Sequence, residues 1–427
     1  MSSNERPYRP AAHPSFAHLR RLTDDTGLLE HALGRIPRRR EGYTTDDNAR
    51  ALWAATEWLS LGESRIGAED RRELIRLADI YLAFMLWAQE SDGWFLNNFA
   101  YDRTLEPEEI SHDCQGRSIW ACADAWIRLP GPRRETARTV FERSLPTFGG
   151  IGSLRGQAFA MATCAHVLQA SEEGAIDLPL DVKSELQHHL QRLESLLCRA
   201  YGNFRRASWR WFEPAMTYGN GVLPWAMLRT YRFTRNMETY RTGIDSLSFL
   251  VGAMTAEEGW LSPIGNEGWC TSDTGEISKW DQQPLEMFKL ALALGEAARA
   301  TEMAEGETGD RLVGSFRTGG GSGKLRAAQA DGKTVSGAGY GYSDFGGTGG
   351  ADSGSGSAHA GQRIERYRRL RDQCRDWFYG ANDLGVPVVD PADGSCCDGL
   401  TPYGPNINCG AEATISYLMT EALSRRE

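Results

Sequence analysis

Four carboxylates stand where this 427-residue chain passes from polar, glycine-bearing segments into apolar runs. They are Asp46 or Asp47 in Gly42-Tyr43-Thr44-Thr45-Asp46-Asp47-Asn48, Asp113 in His112-Asp113-Cys114-Gln115-Gly116, Glu213 in Trp209-Arg210-Trp211-Phe212-Glu213-Pro214, and Asp281 in Trp280-Asp281-Gln282-Gln283-Pro284. Cleaving a glycosidic bond takes one carboxylic acid to protonate the departing oxygen and a second carboxylate to activate water or attack directly. Glu213, an acid among aromatic residues, suits the first role, because apolar neighbours raise a carboxyl pKa toward neutrality. Asp281 or Asp47 suits the second, with Asp113 as a further catalytic candidate. Each also has a plainer use. Thr-Asp-Asp ahead of an apolar run supplies helix N-caps, and Pro284 fits the first turn of a helix that Asp281 would cap. Arg50, one turn past Asp46, is the partner that would keep an aspartate ionised.

Around these acids lies a set suited to holding a polyhydroxylated ligand. The chain carries 13 Trp and 14 Tyr, and aromatic faces pack on the apolar faces of sugar rings as readily as they fill a core. Tyr43, Trp94, Trp211 and Trp260 are the stacking candidates, and the amides of Gln282 and Gln283 are natural partners for hydroxyl groups. Asp46, Arg50, Gln115, Arg155, Tyr218, Asn220 and Tyr403 complete the expected binding set. His112 is the one histidine at such a segment, which leaves a two-histidine proton shuttle hard to assemble.

Other chemistries lack their motifs. There is no G-x-S-x-G, no H-E-x-x-H, and no phosphate-binding G-x-x-x-x-G-K-[ST]. Nine cysteines are an odd number, and Cys114, Cys122, Cys164 and Cys198 fall in or beside apolar helical patterns, as small buried hydrophobes do in a reducing compartment. The adjacent Cys396 and Cys397 have no second pair at ligand spacing, so neither metal nor cofactor is expected. A net charge of -10 argues against nucleic acid as a partner. No run of eighteen apolar residues is present, and His13, Arg20, Arg21, Asp24 and Asp25 occupy the place of a secretory h-region. A cytoplasmic protein with no membrane insertion is expected.

The elements that must position these residues are helices. Apolar residues recur at i, i+3 and i+4 in residues 69 to 88, 132 to 145, 178 to 200 and 236 to 254, while alternating strand patterns are nearly absent. A second class of helix begins at six polar starts: the segments at Gly42, His112 and Trp280 already quoted, Gly152-Ser153-Leu154-Arg155-Gly156-Gln157, Tyr218-Gly219-Asn220-Gly221, and Tyr403-Gly404-Pro405-Asn406-Ile407-Asn408. Packable runs such as ALWAATEWL, SIWACADAW, AFAMATCAHVL and FKLALALG follow them. Successive starts are roughly 40 to 70 residues apart, one two-helix unit each, except the last interval. That excess coincides with residues 317 to 361, a Gly/Ser-rich tract too poor in apolar residues to pack, expected to be a flexible insertion in a single domain spanning 1 to 427. Residues 92–95, 201–204, 258–261 and 383–386 share a Gly-and-apolar pattern and are expected as loops that turn back over one rim.

With six starts, the chain resembles the (α/α)6 toroid superfamily of glycosidases, epimerases and polysaccharide lyases, over nearly everything outside residues 317 to 361. Gly42 to Arg50, Trp211-Phe212-Glu213 with Thr217 to Asn220, and Trp280 to Pro284 look like segments of a bacterial group found beside or fused to glycosyltransferases. The resemblance implies an all-α toroid of six helical hairpins, a carbohydrate substrate, Asp/Glu acid/base catalysis with inversion, and a glycosyltransferase as candidate partner. It leaves open an epimerase, a phosphorylase, a lyase using Tyr218 with Arg155, a zinc-dependent toroid, and a glycan-binding scaffold.

Overall fold

The computed structural model describes residues 13–316 and 356–426. A short helix α1 (Ala17–Leu22) leads into eleven longer ones: α2 (Thr45–Leu59), α3 (Ala68–Ala88), α4 (His112–Arg128), α5 (Arg133–Ser144), α6 (Leu154–Glu172), α7 (Leu180–Phe204), α8 (Val222–Thr234), α9 (Met237–Ala253), α10 (Pro284–Phe316), α11 (Gly356–Phe378) and α12 (Ala411–Ser424). The even-numbered helices form a closed inner ring in which each touches the next and α12 returns to α2. The odd-numbered helices pack outside, α3, α5, α7, α9 and α11 each against the inner helix that precedes it. The fold is an all-α (α/α)6 toroid, as expected.

Composition separates the two layers. In α2 every residue except Asp46 is buried, as a helix enclosed on all sides requires, whereas α3 buries only one face, centred on Leu74, Tyr81 and Met85. Three inner helices are capped by the polar residues at their starts: Thr44, Ser111 and Ser153 accept from the backbone N–H of Asp47, Cys114 and Gly156 at 3.2, 3.2 and 3.1 Å. Two glycines let the ring close tightly at this end. A Cβ on Gly116 would sit 2.5 Å from the Gly156 carbonyl oxygen, and one on Gly221 would sit 2.2 Å from that of Lys289.

Halfway down the axis, five aromatic side chains meet and divide the ring into two mouths. Trp53 lies 5.4 Å from Phe288, 5.6 Å from Trp120 and 6.0 Å from Trp225, ring centre to ring centre, and Phe159 lies 5.6 Å from Trp225. The inner helices all begin at one mouth, called here the upper, and end at the lower.

Two details differ from expectation. Residues 201–204 are not a rim loop but the last turn of α7, whose amphipathic pattern runs on through Tyr201, which packs on Phe212. Of the Gly/Ser tract 317 to 361, residues 317 to 355 lie outside the described residues, and 356 to 361 open α11. Among the described residues no helix is long and apolar enough to cross a membrane.

Candidate active site

A cavity of about 320 Å³ opens between the first turns of α2, α10 and α12, lined by Asp46, Asp47, Arg50, Gln283 and Glu412 together with Glu30, His31 and Asp398 from loops. It shares Glu30, His31 and Asp398 with an outer hollow of about 780 Å³ that reaches Arg38, Arg40 and Glu106. Together they form one cleft, with an inner chamber at the helix starts and an outer chamber toward solvent.

Arg50 organises the inner chamber. It holds Asp47 at 2.6 Å, Glu412 at 2.8 Å and Asp46 at 2.9 Å, and Asp46 is also paired with Arg117 from α4. Burial, reinforced by the charge of Asp47, pushes Glu30 up to about 7, and burial pushes Asp398 up to about 6 although it accepts the Gly410 N–H at 2.6 Å. Burial also raises Asp47, against the pull of Arg50. His31 Nε2 stands 3.4 Å from Glu30 Oε1.

The starts of α4, α6 and α8 carry a second polar cluster. Arg155 donates to Glu213 at 3.0 Å, to Thr217 Oγ1 at 2.9 Å and to the Tyr218 carbonyl at 2.6 Å, and its guanidinium lies 4.8 Å from the Tyr218 ring. The Tyr218 and Ser153 hydroxyls donate to Asp113. Burial next to the Asp113 charge pushes the Tyr218 phenol up to about 12. Glu286 accepts from the Gly219 backbone and the Asn220 amide, the latter at 3.0 Å, so it links α10 to the start of α8.

The expected residues divide sharply between these walls and the scaffold. Asp46, Asp47, Arg50 and Gln283 line the inner chamber. Asp113, Arg155, Glu213 and Tyr218 form the second cluster. Asp281 stands apart: half-buried, with φ of 58°, its carboxylate is beside Gly399 rather than in the cavity lining. Gln282, expected to meet substrate, is fully buried and donates to Asp383 at 2.7 Å and to the Lys279 carbonyl at 2.9 Å. Gln115 is likewise buried, tying Gly93 and Phe95 to Thr147, and Asn220 is buried on Glu286. Trp211 is 0% exposed against Phe212, and Tyr43 is buried with its hydroxyl on Asp24 at 2.7 Å, so neither offers a face to a sugar. Trp94 remains half-buried beside His112 and Trp260 half-buried in its loop, while Tyr403, 99% exposed, tips a small hairpin.

Sequence reasoning missed Glu30, His31, Asp398, Glu412, Arg117, Glu286 and Lys289. Glu412 and Glu286 sit in first turns of inner helices, the position already searched in the other starts. Glu30 and Asp398 stand in loops with no such signal. Lys289 lies one turn below Glu286, 1% exposed, its amine 4.0 Å from the Phe288 ring and without a hydrogen-bond partner among the described residues. Burial, helped by Arg117 and Arg50, drives that amine well below its ordinary value. Among the described residues no group of three or more His, Cys, Asp or Glu is gathered closely enough to hold a metal ion.

No family model matches the chain, and no curated protein is detectably similar to it in sequence. Solved structures are similar in fold. Cellobiose 2-epimerase from Bacillus thermoamylovorans superposes with a TM-score of 0.57 at 9% identity over 96% of both chains. A sugar epimerase from a ruminal bacterium gives 0.57 at 9% identity over 96% of this chain and 95% of that one. A GH76 α-mannanase from Bacteroides thetaiotaomicron gives 0.51 at 9% identity, over 95% and 91%. At such identities the likeness establishes the toroid of six hairpins and nothing finer.

Proposed function

We propose that the upper mouth is a carbohydrate-processing site and that its reaction is glycoside hydrolysis by paired carboxylates. The observation that carries this reading is the inner chamber, where one half-buried carboxyl is raised to about 7 beside others fixed on Arg50. A general acid must keep its proton near neutral pH, and burial gives Glu30 that property. Glu30 is the proton donor, in place of Glu213, and the buried charge of Asp47 helps keep it protonated. Glu412 is the base: one oxygen rests on Arg50, and its side chain is 36% exposed, within reach of water. Asp113, Glu213, Arg155 and Tyr218 would hold hydroxyl groups of the sugar across the mouth. Inversion is the expected outcome, by analogy with the fold rather than from geometry. A glycosyltransferase partner rests on the sequence resemblance alone and enters no step.

One observation favours a second reaction on the same residues. His31 beside Glu30 is an imidazole–carboxylate pair that could exchange a proton at carbon, and sugar epimerases share the fold. Incubation with α- and β-linked oligosaccharides in D2O, followed by NMR, separates the two. Hydrolysis yields new reducing ends with one anomer first and no deuterium on carbon. Deuterium at C2 with the glycosidic bond intact would replace hydrolysis with epimerisation, and neither signal with any glycan would leave the site without this chemistry.

A further inference from the structure

Cys396 and Cys397, adjacent in the sequence, part company in the fold. Cys396 is 0% exposed in the core, whereas Cys397 is half-buried near the base of the small hairpin that carries Tyr403. Neighbours along an extended segment point to opposite faces, so a partner for Cys397 has to come from the strand across from it.

That strand supplies Cys409. The hairpin pairs Leu400 with Pro405, and two backbone hydrogen bonds carry the pairing toward its base: the Asn406 N–H donates to the Gly399 carbonyl and the Asp398 N–H to the Asn408 carbonyl, both at 2.8 Å. One step further, Cys397 and Cys409 stand opposite each other. Their own N–H groups turn outward, Cys397 to the Val388 carbonyl at 2.8 Å and Cys409 to the Gly34 carbonyl at 2.9 Å. Outward-turned amides mark a non-hydrogen-bonded antiparallel pair, in which the Cα atoms are about 4.5 Å apart and the side chains share a face. A disulfide spans Cα separations of about 4.4–6.8 Å. Both cysteines are free, and their thiols are neighbours: a hydrogen bond to Cys397, together with burial, pushes the Cys409 thiol well above its ordinary value.

The two differ in access, Cys397 being half-buried and Cys409 only 4% exposed. Their place in the chain gives a bond between them a consequence. Asp398, next to Cys397, lines the upper-mouth cleft and accepts the Gly410 N–H at 2.6 Å, and Glu412 follows Cys409 in the first turn of α12. A link from 397 to 409 closes the segment 398–408 at its base and ties this rim of the cleft to the start of α12.

We propose that Cys397 and Cys409 are a site of reversible oxidation by a small hydroperoxide, and that the disulfide they form clamps this rim of the upper mouth. The Cys397 sulfur, having given up its proton, attacks one peroxide oxygen; the O–O bond breaks, and the departing hydroxide takes up that proton and leaves as water, so Cys397 becomes a sulfenic acid. The Cys409 sulfur then attacks the Cys397 sulfur, the S–O bond breaks, and the Cys409 proton leaves with the hydroxide as a second water. Two thiols lose two protons and two electrons, and one hydrogen peroxide becomes two waters. The step makes no use of the sugar chemistry in the same mouth.

Mass spectrometry of the full chain, reduced and then exposed to a near-stoichiometric amount of hydrogen peroxide, tests this. Cleavage before Asp398 puts Cys397 and Cys409 on separate peptides. These peptides stay joined until dithiothreitol is added, and the oxidised chain melts a few degrees above the reduced one, because the closed loop restricts the unfolded chain. Cys409→Ser abolishes the cross-link and the rise in melting temperature, and Cys396→Ala keeps both. Where Cys409→Ser does not fold, as judged by circular dichroism, Cys397→Ser at the half-buried partner gives the same loss. Oxygen added at Cys397 without a cross-link overturns the proposal, and so does a cross-link that requires Cys396. A 397–409 bond that leaves the melting temperature unchanged overturns the clamp.

Discussion

The two mouths of the ring are built from the same six helices yet handle charge in opposite ways. In the upper mouth, carboxylates outnumber their cationic partners, and Glu30, Asp47 and Asp398 are all raised by burial. In the lower mouth, among the described residues, seven arginines and four carboxylates line the cavity. Burial works against Asp124 and Glu296 there too, but Arg128 with His166, and Arg299 with Arg232, hold them well below the usual carboxylate range. Helix direction explains part of the contrast, since acids favour helix starts and bases favour helix ends. The rest teaches a distinction. Acids left with too few partners are poised to move protons, whereas acids fully paired with arginine are poised to hold a geometry.

The largest expected effect breaks the upper mouth. Glu30→Gln lowers kcat on a cleaved glycan by about 10²- to 10⁴-fold, the usual contribution of a positioned acid, measured in steady-state assays. Next is the lower mouth. Asp124→Asn leaves Arg128 with Glu57 alone and removes the charged partner of His166, and lowers unfolding free energy by about 1.5–3 kcal/mol in urea titrations, the scale of a hydrogen bond to a charged group. Between the mouths, Lys289→Met stabilises the protein by about 1–3 kcal/mol, since it removes a buried amine without a partner and keeps its volume.

The pH dependence of stability sharpens the comparison, because the signs oppose. Glu30 is raised from 4.5 to about 7. Its contribution is fully present below 4.5 and is lost as pH rises through about 7, so at about pH 8 Glu30→Gln is more stable than wild type. Asp124, Glu296 and His166 are lowered. Their contributions are present above the ordinary values and are lost as pH falls, His166 through about 4 and the acids below it. Thermal melts across pH therefore show Glu30→Gln diverging from wild type on the alkaline side and Asp124→Asn converging with it on the acid side. The smallest effect is at Tyr403, whose exposed ring makes Tyr403→Ala worth less than about 0.5 kcal/mol in stability.

Much of the fold was legible because its signals are local. The polar starts at Gly42, His112 and Gly152 and the periodicity after them locate three inner helices within about three residues. The site was less so. Asp46, Asp47 and Arg50 could be read as a cluster because one turn of helix joins them, whereas Glu30 and Asp398 reach the same cavity from loops far apart in the chain. Aromatic residues misled for a related reason: nothing local distinguishes Trp211, sealed against Phe212, from a ring open to solvent. The lower mouth was on view in ALWAATEWL, SIWACADAW and AFAMATCAHVL, where Glu57, Asp124 and His166 each interrupt an apolar run. Their meaning appears only when the ring closes and brings the interruptions together.

The most direct measurement is a crystal structure of Glu30→Gln with an oligosaccharide that the wild type processes. The account predicts a sugar in the upper mouth, its glycosidic oxygen within hydrogen-bond reach of residue 30 and a water held by Glu412. A glycan bound only in the lower mouth or on the outer helices, with the chamber around Arg50 empty, would contradict it.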